Sequence, residues 1–524
     1  MSDTNNLTRR KFVKSFSAYG GCAYAALMGL GLMSKSTGHG AVLSGLPRVD
    51  GKDKTKVVIM GAGIAGLTVA YELGKLGFSC TILEPRSKAG GRCMTIRKGD
   101  VLEETNGFKQ TCTFDDGHYF NPGPSRFPQW HVTMDYCREL GVPIQPFVNL
   151  NENAFYYSEG DKGELSNKRI RIREAKTDLR GYTAEMLAKV IDQGQLDEPL
   201  GSDDKEKLID FLKYEGGLSS RFKYNGHDRR GYEEWPAGGL NGGKLGAPHS
   251  MKSLLDAEVG MLFHRANETF YQSQMFTPKG GMDKIADALA SKVEENIILG
   301  AEVKEFRKTS PGVRVVYVQD GEEKEITANF GICTIPPTIL RRIPNDLSPM
   351  VKNTLNIVPF QNSSKVGMQF KRRFWEEDDR IFGGLSWTNM PIGEVWYPTD
   401  GFFDQKGILG GYYIFGPMSD QLTKMSPKER IEFALSHGEK IHPQYRKEFE
   451  NGFAVNWSSI PHIEGCLAHF PKAMMKTFYP LLVKPDGDYY LTASWASHLG
   501  GWQAGAFEAA RLAVEDIHKR SMAS

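Results

Sequence analysis

The stretch from Lys56 to Glu84 constrains this chain more than any other. Lys56 to Met60 (KVVIM) is a short apolar run rich in β-branched residues, the pattern of a buried strand. Gly61-Ala62-Gly63-Ile64-Ala65-Gly66 follows directly, and a helical pattern runs from Leu67 through Leu76 to a stop at Gly77. Cys80 to Glu84 (CTILE) then reads as a second strand that ends in an acid. This order of strand, glycine turn, helix and acid-terminated strand is the βαβ dinucleotide fingerprint. Gly61 permits the tight turn, Gly63 lets a pyrophosphate approach the backbone, and Gly66 lets helix pack on strand. Ala65 lies in the first turn of the helix, whose free N–H groups and positive dipole end face the phosphates. Glu84 is placed to accept from the adenosine ribose hydroxyls. The alternative is a glycine-rich strand–helix turn with no ligand.

A chain of 524 residues is long enough for two or three packed lobes. Its formal charge of +2 is close to balance and lacks the basic footprint of nucleic-acid binding. Seven scattered cysteines, none in a C-x-x-C pair, make neither a disulfide framework nor a zinc site, so no metal is expected.

The fingerprint alone does not separate NAD from FAD. Gly90-Gly91-Arg92, just after the acid, resembles the GGR segment of FAD-dependent amine oxidases, in which the arginine meets the FAD pyrophosphate. From Lys56 to about Ile517 the chain is similar to the flavin amine oxidase family, and within it to the L-amino-acid oxidases. The resemblance implies an α/β fold: a Rossmann-like FAD-binding domain from 50–125, 275–340 and 480–520, a mixed-sheet substrate domain over 341–480, and a helical insertion over 130–270.

Gly123-Pro124-Ser125-Arg126-Phe127-Pro128 resembles the family segment that touches the cofactor and whose arginine grips a substrate carboxylate. A planar guanidinium suits that task because it binds a carboxylate through two parallel hydrogen bonds. A structural ion pair is the alternative for Arg126. Glu394-Val395-Trp396-Tyr397-Pro398 resembles the segment whose tyrosine meets the same carboxylate, which makes Tyr397 a second anchor unless it is a core tyrosine. Lys365 falls where the family has a lysine that holds a water against the flavin; a polar face of an exposed strand is the alternative. Val303 would touch the adenine through its backbone, and Trp457 would lie near the flavin ring. Gly501 and Trp502 would shape the substrate cavity ahead of a helix from about Ala504 to Ile517.

The chain also departs from the family pattern. The strand-ending Gly-Glu that bonds the ribityl chain is missing, and spacing from Trp502 puts Ala493-Ser494 there. Ser494 offers one uncharged hydrogen bond. Cys466 falls where monoamine oxidases link their flavin. FAD held without a covalent bond is expected, and a thioether at Cys466 is the alternative. A free cysteine often fills space as a small hydrophobe.

The resemblance implies oxidative deamination of an L-amino acid with oxygen, giving a 2-oxo acid, ammonia and hydrogen peroxide, in a homodimer. An amino-acid 2-monooxygenase, a monoamine or polyamine oxidase, and a flavin-binding partner without turnover remain open. At the amino end, Thr8-Arg9-Arg10-Lys11-Phe12-Val13-Lys14 and the apolar stretch after it resemble a twin-arginine export signal within residues 1–45. Export to the periplasm or beyond is expected, with no stable membrane span once the signal is removed.

Overall fold

The computed structural model describes residues 46, 55–161, 163–192, 201–260 and 270–523. The twin-arginine segment lies outside the described residues. Among them no helix is long and apolar enough to cross a membrane.

The first sheet grows from the fingerprint. The strand Lys56–Met60 pairs in parallel with Ser79–Glu84 on one side and Phe330–Cys333 on the other. Ile297–Leu299 and Tyr489–Leu491 add the two edges, also in parallel. Side chains alternate across a strand, so a strand covered on both faces must be apolar throughout. Val57 and Ile59 pack with Leu67, Ile285, Phe507 and Val514 from the helices Ile64–Lys75, Asp283–Lys292 and Gln503–Ala523. Val58 and Met60 face the opposite way, onto Val303, Phe306, Val313 and Val315 of a three-stranded antiparallel sheet.

The apolar run Ile297 to Val303 (IILGAEV) reads in the sequence as one strand but is split in the structure. Gly300 takes a φ of +70° and turns the chain out of the parallel sheet, so Glu302–Lys308 joins the antiparallel one. The last helix, expected to end near Ile517, runs on to Ala523 because Ile517, His518 and Ser521 keep a buried face.

The second sheet has seven strands in the order Phe449–Asn456, Ser363–Phe370, Gly407–Phe415, Glu394–Tyr397, Gly384–Thr388, Phe155–Tyr157 and Arg169–Arg171. The last two come from the span expected to be a helical insertion. That span does carry the paired helices Ile172–Asp192 and Ser202–Gly216. It also supplies three strands, because aromatic and branched runs such as Phe155-Tyr156-Tyr157 favour a pleated, buried surface over a helix.

Candidate active site

A cavity of about 470 Å³ runs along the carboxyl ends of the parallel strands. Gly61, Gly63, Ala65, Glu84, Gly91, Arg92, Gly123, Pro124, Val303, Trp457, Ser494, Gly501 and Trp502 all line it. A dinucleotide fits these walls. A side chain at Gly63 would meet nothing within 4 Å, so the turn leaves open space in front of the helix Ile64–Lys75. That helix has no side-chain cap and no acid in its first turn, which leaves its leading N–H groups for an anion. At Gly66 the space is closed: a Cβ there would lie 2.1 Å from the Gly61 carbonyl oxygen. Gly66 therefore packs the helix and contributes no wall. The Glu84 carboxylate accepts from the backbone N–H of Ala62 (2.8 Å) and of Arg86 (3.1 Å). Burial raises its pKa, and those two donors pull the other way.

Deeper in the cavity Arg92 is half-buried, and its guanidinium donates to the Cys466 carbonyl and to Ser494 Oγ (2.8 Å). Ser494 thus meets Arg92 across the cavity, where the family pattern has an acid. Burial lowers the arginine's pKa. Trp457 is fully buried and donates from Nε1 to the Pro122 carbonyl (3.0 Å). Cys466 lines the same cavity, and burial pushes its thiol up despite the nearby charges of Arg92 and Lys365.

Lys365 sits in a strand whose eight residues are all buried, which removes the exposed-strand alternative. Its Nζ donates to the Gly123 carbonyl (2.6 Å) and to Ser125 Oγ (3.0 Å). It lies 4.2 Å from the ring centre of Tyr413, its cross-strand partner. Burial, then the like charge of Arg126, brings its pKa down to about 7. Tyr413 lines the first cavity and also a second one of about 210 Å³ that reaches Lys365 and Ser125.

Arg126 is buried, at 6% exposure. Its guanidinium carbon lies 4.1 Å from the ring centre of Trp396, 5.1 Å from that of Tyr271 and 5.7 Å from that of Phe147. Its Nε donates to Asn149 Oδ1 (2.9 Å). Among the described residues no carboxylate forms an ion pair with it.

The expectation for Tyr397 needs correction. The strand Glu394–Tyr397 turns Trp396 toward Arg126, and side chains one residue apart point to opposite faces. The Tyr397 hydroxyl is taken by Ser386 Oγ (2.6 Å) and His442 Nε2 (2.7 Å), and His442 Nδ1 meets Asp379 Oδ2 (2.9 Å). Trp396 in turn donates from Nε1 to Glu394 Oε1 (2.7 Å). Asn149, Tyr413 and Trp396 thus join the site without having been expected there. Strand alternation puts Trp396 and Tyr397 on opposite faces but does not say which face meets the site. Asn149 had no signal, since it stands 23 residues from Arg126 in the chain.

Gly501 has a φ of +81° and opens the turn into the last helix. Trp502 stands beside it with the His131 ring 5.1 Å away, edge on. His131 is buried, and burial pushes its pKa down to about 4, so it is neutral.

The family model described as Flavin containing amine oxidoreductase matches residues 64–518. An L-amino-acid oxidase of Gloydius blomhoffii is 26% identical over 89% of this chain and 89% of its own length. One of Pseudechis australis is 24% identical over 89% and 87%. Among solved structures, a wild-type putrescine oxidase bound to putrescine superposes with a TM-score of 0.58 at 20% identity, covering 88% of this chain and 98% of its own. Cyclohexylamine oxidase from Brevibacterium oxydans IH-35A gives 0.58 at 17%, covering 89% and 99%. These two structures share the fold of this chain. With the family model spanning residues 64–518, the greater part of the chain, this chain belongs to the flavin-containing amine oxidoreductases and is an oxidoreductase acting on amine or amino-acid groups.

Proposed function

We propose that this protein is an FAD-dependent L-amino-acid oxidase that converts L-amino acids to 2-oxo acids with release of ammonia and hydrogen peroxide. One observation carries the reading: Arg126 is a buried guanidinium behind Phe147 and Trp396, which line the second cavity beside Lys365, and no carboxylate among the described residues forms an ion pair with it. A buried charge is costly unless paired, so the site asks for an anion from outside. A substrate α-carboxylate meets that need through two parallel bonds. The L-amino-acid oxidases among the relatives carry that activity in their names. A simple diamine would leave Arg126 unpaired.

Gly61, Gly63, Glu84, Arg92 and Trp457 would hold FAD, and the chemistry supplied there would be uptake of a hydride from the substrate Cα. The chain's residues bind, orient and exclude water. Arg126, held over the Trp396 ring, fixes the carboxylate. Gly501 and Trp502 bound the space beside the amine. Lys365, with a pKa near 7, is partly uncharged at neutral pH and holds or releases a proton at Nζ. FAD is held without a covalent bond, because burial keeps the Cys466 thiol protonated and a thiol is a poor nucleophile. The enzyme works outside the cytoplasm, on the strength of the amino-terminal arginine pair.

Anaerobic mixing with a panel of L-amino acids, following the flavin absorbance, tests this. The expected result is bleaching by some of them, then peroxide and a 2-oxo acid once air is admitted. Arg126→Met should lower kcat/KM for these substrates by roughly 100-fold or more. Bleaching by amines without a carboxylate, and by no amino acid, would sink the reading. An amide and carbon dioxide as products would mark a monooxygenase instead.

A further inference from the structure

We infer that Asn149 is a positioning residue that holds Arg126 in place while leaving its charge to the substrate carboxylate. The inference rests on the amino-acid-oxidase reading above and goes beyond it.

The geometry begins with one strand. Gln274–Pro278 pairs along its length with Ile144–Val148, and Ser273, just before it, accepts from the Asn149 backbone N–H (3.0 Å). Phe276 of that same strand exchanges two backbone hydrogen bonds of 2.9 Å with Phe127, the residue after Arg126. The arginine and the asparagine are therefore both anchored to one element. Their relative position is set before any ligand arrives.

Arg126 Nε is only a donor, so the Asn149 amide must present Oδ1 to it. That choice leaves Asn149 Nδ2 buried with no hydrogen-bond partner among the described residues. A buried unpaired donor costs stability, which marks the orientation as dictated by Arg126. With Nε held and the guanidinium carbon 4.1 Å from the Trp396 ring centre, the swing of the two terminal nitrogens that would receive a carboxylate is restricted.

Aspartate has the same shape and would make the same bond from Nε. It would also neutralise Arg126 from inside the protein and repel an incoming carboxylate. A neutral acceptor holds the arginine without that competition. This distinguishes positioning from mere packing, since an isosteric exchange leaves packing intact and alters only charge.

The test uses the FAD-loaded enzyme and Asn149→Asp. Benzoate, a carboxylate without an amine, is titrated while its perturbation of the flavin spectrum is followed. Melting temperature and flavin content are measured alongside. The expected result is benzoate binding weaker by about tenfold or more. The KM for the L-amino acids that reduce the wild-type flavin should rise by more than kcat falls. Unchanged benzoate affinity and unchanged KM in a variant that retains FAD would overturn the inference. If Asn149→Asp does not fold, Asn149→Ala serves. It removes the acceptor, and the same weakening supports the inference while wild-type affinity overturns it. Wild-type enzyme that is reduced by L-amino acids while the variants match it defeats only the role of Asn149. Wild-type enzyme that neither binds benzoate nor is reduced by any amino acid defeats the underlying reading as well.

Discussion

Lys365 and Arg126 are two cations buried within reach of each other, and their mutual repulsion is part of why the lysine titrates near 7. Glu394 and Cys466 act on Lys365 in the opposite sense and more weakly. The sign of the pH effect follows. Below about 7 the lysine is charged and adds to the pull of Arg126 on an anion; above it, that contribution is lost. Benzoate, ionised throughout, should therefore bind more tightly as pH falls from about 8 to about 6, and Lys365→Met should flatten the profile over that window. His131 does not contribute there, since it titrates near 4. A wild-type profile already flat between those limits would show that the lysine keeps its charge. At this scale the arginine was legible in the sequence because its motif is contiguous. Its partners were not: one residue of strand parity separates Trp396 from Tyr397, and a motif match does not say which of two adjacent aromatic rings faces the site.

The glycine turn and its helix carry the cofactor site as an element. Gly61 sits at a φ of +110°, a region a side chain rarely adopts, and its N–H bonds the Leu83 carbonyl (2.8 Å) to close the turn on the next strand. At Gly66 the constraint is contact. A methyl group would lie 2.1 Å from Gly61 O and 3.0 Å from Ile59 Cγ2, both parts of a packed unit with no room to shift. Gly66→Ala should push the helix off the strand, displace its N–H groups from the phosphates and strip most of the FAD. The ratio of flavin to protein absorbance after gel filtration measures this; full retention of flavin would show that the helix can slide. The helix itself was readable from residue spacing, since observed and expected ends differ by only a few residues. The break at Gly300 was not, because a single glycine inside an apolar run signals a bend without saying which sheet takes the next strand.

Across the whole molecule, elements distant in sequence are joined by side chains. Glu104, just after the strand Val101–Glu103, pairs with Arg430 of the helix Pro427–Ile441 through both arms of the guanidinium, with Nη2 2.8 Å from Oε2. Both side chains are essentially inaccessible to solvent. Removing one partner of such a pair leaves the other charge buried and typically costs about 3–5 kcal/mol. Glu104→Gln should therefore lower the denaturation midpoint clearly while leaving carboxylate binding in the folded enzyme intact. An unchanged midpoint in urea would mean that water reaches Arg430. Nothing in the sequence links positions 104 and 430, just as nothing links 126 to 149. The sequence by itself determined the dinucleotide fold, the cavity-lining glycines and the arginine, because each depends on neighbours within a few residues and on backbone geometry that glycine and β-branched side chains dictate locally. Only the tertiary structure decided that Trp396 backs Arg126, that Asn149 holds it and that Lys365 lies wholly inside. Those depend on strand pairing and burial, which bring distant residues together and strip the water that would otherwise set their charge.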